Sequence, residues 1–134
     1  MAIGYGAALP LHTTEVDGPF GLLTTLREVA AQNLKMLVLT SPGERVMDAK
    51  FGVGIRNYLF WQYTPATLSD ITSRIKSQTG KYLPYIKIMD VSFNQKQGAV
   101  SVGETMADNF LNIRIDYVIS PLSIGAVLTL PISV

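Results

Sequence analysis

Carboxylates close together in the sequence are the first residues here with chemistry to offer. Glu44 and Asp48 form one such pair, and Glu15 with Asp17 another. Two carboxyl groups about 5–9.5 Å apart, one of them with a raised pKa, are what glycoside hydrolysis requires. Spacing in sequence selects little, because any chain with 10 acidic residues supplies such pairs. Other catalytic arrangements find less support. His12 is the single histidine and lies in a glycine-rich N-terminal stretch, so a Ser-His-Asp triad or a histidine metal site would hang on one surface residue. Cysteine is absent, which removes thiolate chemistry, disulfides and cysteine-ligated metals. Phe51-Gly52-Val53-Gly54 has the glycines of a phosphate loop but neither a third glycine nor a following Lys-Ser/Thr. Those glycines read better as a tight turn that lets Phe51 enter the core. Nothing in these residues argues for a catalyst or a cofactor.

Glu44 and Arg45 have a simpler use. They follow Ser41-Pro42-Gly43, which ends an apolar helical pattern. Glu44 in that place can accept backbone N–H bonds, and the forked guanidinium of Arg45 can pin two segments together. The aromatic run Tyr58, Phe60, Trp61 and Tyr63 carries too little charge for a nucleic-acid stacking platform. It reads as core filling, with Trp61 or Tyr63 as an exposed contact anchor.

The elements that must position these residues follow from the pattern. A chain of 134 residues with 48% apolar and 16% charged side chains is one ordered domain with apolar residues to spare for partners. A net charge of +1, from 11 scattered basic and 10 acidic residues, gives no field for nucleic acid. Residues 1–20 read as an extended arm with turns, and residues 21–134 as one domain. A helix is expected from Gly21 to Leu39, then a loop over Asp48 to Gly54 and a short helix from Ile55 to Trp61. Thr64-Pro65 starts another helix, stopped near Thr79 by Gly80. From Tyr85 the period becomes two. Strands are expected over Ile86–Phe93, with a phase switch near Met89 that marks either a bulge or two buried faces, and over Ala99–Glu104, Phe110–Ile119 and Ile124–Ile132. Turns fall at Asn94–Gly98 and around Ala107–Asn109. Helices first and strands second give an α+β fold with a small antiparallel sheet. The uncharged run Tyr117–Val134 is just long enough for a membrane span, but Pro121, Gly125, Pro131 and its alternation fit strands.

Thr40-x-x-Gly43-Glu44-Arg45-x-Met47 followed by Phe51-Gly52 resembles the baseplate wedge proteins of contractile phage tails. This family is also known as sheath initiators, is shared with type VI secretion baseplates, and was once labelled tail lysozyme. The resemblance runs from Gly21 to about Val118. Where many members have Glu-Pro-Arg, this chain has Leu83-Pro84-Tyr85, so only the proline is kept and contacts of the charged pair do not transfer. Tyr85 offers an aromatic contact in their place. The resemblance implies a structural part of a phage tail or related injection machine, assembled in the host cytoplasm as part of the virion baseplate. It also implies tail sheath protein and other baseplate subunits as partners and six copies around the tail axis. Gly43, Glu44, Arg45, Phe51, Gly52, Pro84 and Tyr85 are the positions it marks as structural or interface residues. Docking of sheath by strand addition to a free sheet edge is the implied contact. Ile124–Val134 and the N-terminal arm have the composition for it, and trimming either is expected to leave the domain folded.

Overall fold

The computed structural model describes residues 4–13, 20–62, 64–94, 110–120 and 122–133. Two short strands come first, β1 at Gly6–Ala7 and β2 at Leu22–Leu23, paired antiparallel with Gly6 opposite Leu23. The first helix, α1, therefore spans Leu26–Leu39 and does not begin at Gly21. Leu22 and Leu23 belong to a ladder instead of the helical stripe. The start is fixed by a capping box at Thr25 and Glu28. Glu28 N–H donates to Thr25 Oγ1 (3.3 Å), and the Glu28 carboxylate accepts from the N–H groups of Thr25 and Thr24 (3.2 Å each). The Thr25 backbone N–H holds the Glu28 carboxyl below its usual range, followed by the Thr25 side chain and the Thr24 N–H.

A depressed carboxylate stabilises the fold above its unfolded pKa, and the contribution is lost as pH falls through the folded value. Thr25→Ala should cost about 1 kcal/mol near neutrality. The gap to the native protein should narrow as pH falls below the ordinary glutamate range and on through the lower folded value, where Glu28 takes up its proton. Urea titrations at several pH values read both effects.

Ala30, Leu34, Leu37 and Val38 form the buried stripe of α1, while Leu26 and Met36 at its margins are exposed. A 3₁₀ helix follows at Ile55–Phe60 and then α2 at Pro65–Tyr82. Thr64 caps α2 by accepting from Thr67 N–H (3.3 Å), with Pro65 at the first helical position. Gly80 does not stop this helix. A glycine costs only about 1 kcal/mol in a helix interior, and Tyr82 gains an aromatic contact by staying helical. Its ring meets Phe51 edge-on at 4.8 Å. Leu83 is the C-cap, and Pro84 makes the exit into the sheet.

The sheet has three antiparallel strands in the order β3 (Ile86–Asn94), β4 (Phe110–Ile119), β5 (Ile124–Ser133). Leu111, Ile113, Ile115, Tyr117 and Ile119 of the central strand are all buried on one face. Helix α2 lies against β3 and α1 against β5, so both helices cover that face. The other face carries Lys87, Met89, Arg114, Asp116 and Val127. Its Arg114–Asp116 pair (3.4 Å) is exposed and adds little. The register of β3 slips between Ile88 and Asp90, which leaves Met89 as a bulge. Asn94, expected to open a turn running to Gly98, ends β3 instead; the rest of that turn, the expected strand at Ala99–Glu104 and the loop near Ala107–Asn109 lie outside the described residues. The fold is α+β.

Strand β5 corrects one expectation. It pairs with β4 over ten consecutive positions and puts Ala126, Leu130 and Ile132 into the core. The C-terminal segment is therefore built into the sheet, and among the described residues only its outer side lacks a paired strand.

Candidate interaction site

The loop between α1 and the 3₁₀ helix gathers five of the seven marked residues. Its backbone is set by three glycines with positive φ, Gly43 (+91°), Gly52 (+108°) and Gly54 (+68°). Gly43 N–H donates to Ala49 O (2.8 Å), closing the loop on itself. The Glu44 carboxylate accepts from Ser41 N–H (2.9 Å), and Glu44 N–H donates to Ser41 O (3.1 Å). Arg45 stacks its guanidinium on the Phe51 ring, 3.7 Å from the centroid. Phe51 is thus in contact with both Arg45 and Tyr82 of α2. Gly52 runs tight against the Thr40 carbonyl and has no room for a Cβ.

Gln78 of α2 completes the clamp. Its side-chain carbonyl accepts from Gly52 N–H and its amide donates to Lys50 O, both at 3.2 Å. Val53 N–H to Leu37 O (3.1 Å) and Gly54 N–H to Thr40 O (2.9 Å) tie the loop back to the end of α1. At the loop tip Val46 and Met47 are 98% and 97% exposed, so this rigid frame presents an apolar pair to solvent. Asp48 lies at the foot of the tip. The Tyr82 hydroxyl first, and then Lys50 N–H and the charges of Lys81 and Arg45, hold its carboxyl low against a burial penalty. That hydroxyl is buried and completes no hydrogen bond of ordinary geometry.

Pro84 and Tyr85 are not part of this loop and follow the end of α2. Pro84 is exposed. Tyr85 bridges both layers: its hydroxyl accepts from Asn33 Nδ2 of α1 (2.9 Å), and its carbonyl accepts from Ser120 N–H (2.8 Å). Of the aromatic run, Tyr58 is buried, and its hydroxyl donates to Asp70 (2.7 Å) and accepts from Arg74 (3.0 Å). Phe60 and Trp61 project into solvent, and Tyr63 lies outside the described residues. His12 meets only Pro10 O, at 3.1 Å, among side-chain bonds. Glu15 and Asp17 lie outside the described residues. No group of three His, Cys, Asp or Glu suited to a metal occurs among the described residues, and no described helix is long and apolar enough to cross a membrane.

Sheet polarity adds a feature that composition alone does not disclose. Ser120 N–H bonds to Tyr85 O, so even-numbered residues of β4 bond toward β3 and odd-numbered ones toward β5. Through the register Ile119–Ile124, Tyr117–Ala126, Ile115–Leu128 and Ile113–Leu130, the even residues of β5 are used inward. The main-chain groups of Gly125, Val127 and Thr129 point outward. Pro131 also falls on the outward side, where its missing N–H breaks no ladder bond. None of these outward groups of Gly125, Val127 or Thr129 has a partner among the described residues.

The comparisons with known proteins agree with this architecture. A Geobacter sulfurreducens protein described as a tail lysozyme has a similar fold, with a TM-score of 0.68 at 24% identity, covering 85% of this chain and 96% of its own. A chain of the anti-feeding prophage baseplate, seen by cryo-electron microscopy with 6-fold symmetrisation, matches with a TM-score of 0.65 at 27% identity, covering 83% of this chain and 81% of its own. None of the curated proteins matches. The model of the family described as baseplate wedge protein gp25 matches residues 24–121. With that match over most of its length, the chain belongs to the gp25 baseplate wedge family, a structural component of contractile tails and injection machines.

Proposed function

We propose that this chain is the sheath initiator of its baseplate, a non-catalytic subunit that offers a sheet edge to the first ring of tail sheath. Six copies would sit around the tail axis, on a baseplate assembled in the host cytoplasm. The observation that carries this reading is the outward side of β5. It offers three consecutive sets of main-chain donors and acceptors without a partner among the described residues, on a strand free of charge. The loop of Gly43, Glu44, Arg45, Phe51 and Gly52 then acts as a rigid mount for the apolar tip Val46–Met47. Tyr85 ties the sheet to α1 through Asn33, and Pro84 lies exposed beside it. Both are proposed to face other baseplate subunits.

Peptidoglycan cleavage is the alternative, and the acidic residues do not favour it. Glu44 is engaged with Ser41 N–H, and the Asp48 carboxyl is held low where a general acid needs it raised. Co-expression of the full-length chain with the sheath and baseplate proteins encoded beside it tests the reading. Co-purification with sheath is expected. Binding to baseplate proteins alone would remove the initiator role, and clearing of cell walls that Glu44→Gln abolishes would restore the hydrolase.

A further inference from the structure

The two edges of the sheet differ in what they can accept. On β3 the run of outward groups is broken by the Met89 bulge, Ile86 N–H is already given to Leu83 O (3.0 Å), and Lys87 and Asp90 bring charge. Each of these blunts an edge. Strand β5 has none of them, only Pro131 near its end.

A groove of roughly 380 Å³ runs beside β5, lined by Thr129, Leu130, Pro131 and Ile132 with Lys35, Leu39 and Arg56. Lys35 and Leu39 come from α1 and Arg56 from the 3₁₀ helix. A strand added to β5 would place its own inward side chains level with Leu128, Leu130 and Ile132, beneath these three residues. Both cations are exposed, neither forms an ion pair among the described residues, and no acidic side chain lines the groove.

We propose that the β5 edge, and not β3, is the docking edge, and that it selects an extended segment whose inward side chains include a carboxylate, received by Lys35 and Arg56. Main-chain pairing along Gly125–Thr129 supplies the attachment. The carboxylate supplies register, because a slip of one residue would turn it to the outer face. Leu39 takes an apolar neighbour two positions away. Pro131 ends the pairing by withholding one donor. The inference rests on the sheath-initiator reading only for the identity of the partner.

Two full-length variants test it, expressed with the complete set of neighbouring tail genes. Val127→Pro removes an outward N–H and leaves the inward ladder to β4 in place. Lys35→Glu with Arg56→Glu reverses the groove charge at exposed positions. Circular dichroism and melting establish that each is folded, and the charge reversal carries the test if the proline variant is not. Purified baseplates are then scored for this chain and for sheath. Baseplates that keep the chain but lose sheath at least tenfold support the proposal and the initiator reading together. Folded variants that no longer enter the baseplate support the edge and its charge while moving the partner from sheath to a baseplate subunit. Normal amounts of both proteins in both variants overturn the proposal. So does unchanged binding by the charge-reversed groove, since it removes the role of the carboxylate.

Discussion

A chain ending at Ser120 is expected to lose its fold, not merely a contact. The deleted strand supplies Ala126, Leu130 and Ile132 to the core and the whole second ladder of the central strand. Without it, α1 loses the sheet surface it packs on, and β4 becomes an apolar edge with Leu111, Ile113 and Ile115 beside it. Such an edge aggregates. Even the single truncation Leu130→Ala should cost about 2–5 kcal/mol, a large part of the stability of a domain this size. The full deletion should be insoluble or show no cooperative thermal transition by calorimetry. A soluble product with native-like circular dichroism and a sharp melt would mean that the three-stranded sheet is not the folding unit.

Gly52→Ala should be the most damaging small substitution in the loop. At φ +108° any side chain is strained, and here the new Cβ would also run into the Thr40 carbonyl. The carbonyl cannot step aside without losing Gly54 N–H, and Gly52 N–H is itself tied to Gln78. We expect a loss of about 2–4 kcal/mol. Gly43→Ala is the matched control: its φ is also positive, but the space around it is open. Its cost should stay near 1 kcal/mol, the left-handed penalty alone. Equal costs in denaturant titrations would show that the Thr40 contact relaxes and that the loop is less rigid than its hydrogen bonds imply.

These particulars mark how far the residues speak for themselves. Strand β4 was plain, because five apolar residues alternate with Asn112, Arg114 and Asp116. Met89 broke the period of β3 where the bulge lies. Thr64-Pro65 and Pro42-Gly43 marked helix ends through local steric rules, which need no tertiary context. The start of α1 was misplaced because Leu22 and Leu23 continue its apolar pattern, and only pairing with Gly6 and Ala7 removes them from it. The Thr25-x-x-Glu28 spacing was a signal that could have corrected this. Gly80 misled in the same way, since the contact that keeps α2 going comes from Phe51, far off in sequence. In the site, the bond of Glu44 to the loop backbone follows from its place after a helix end. The stacking of Arg45 on Phe51 and the double bond of Gln78 to Lys50 and Gly52 depend on how α2 meets the loop. The groove between Lys35 and Arg56 is likewise a product of packing, with no trace in local spacing.

The Met89 bulge has a consequence for growth. A sheet with two equivalent sides has a valence of two, and copies of it can add to one another without end. Among the described residues of the three-stranded sheet, the β3 side is interrupted and the β5 side is continuous, so the proposed docking gives this sheet a valence of one. Units of valence one start or finish a series and never extend it. In the sheath-initiator reading proposed above, a ring of such units would set where polymerisation begins and in which direction it proceeds.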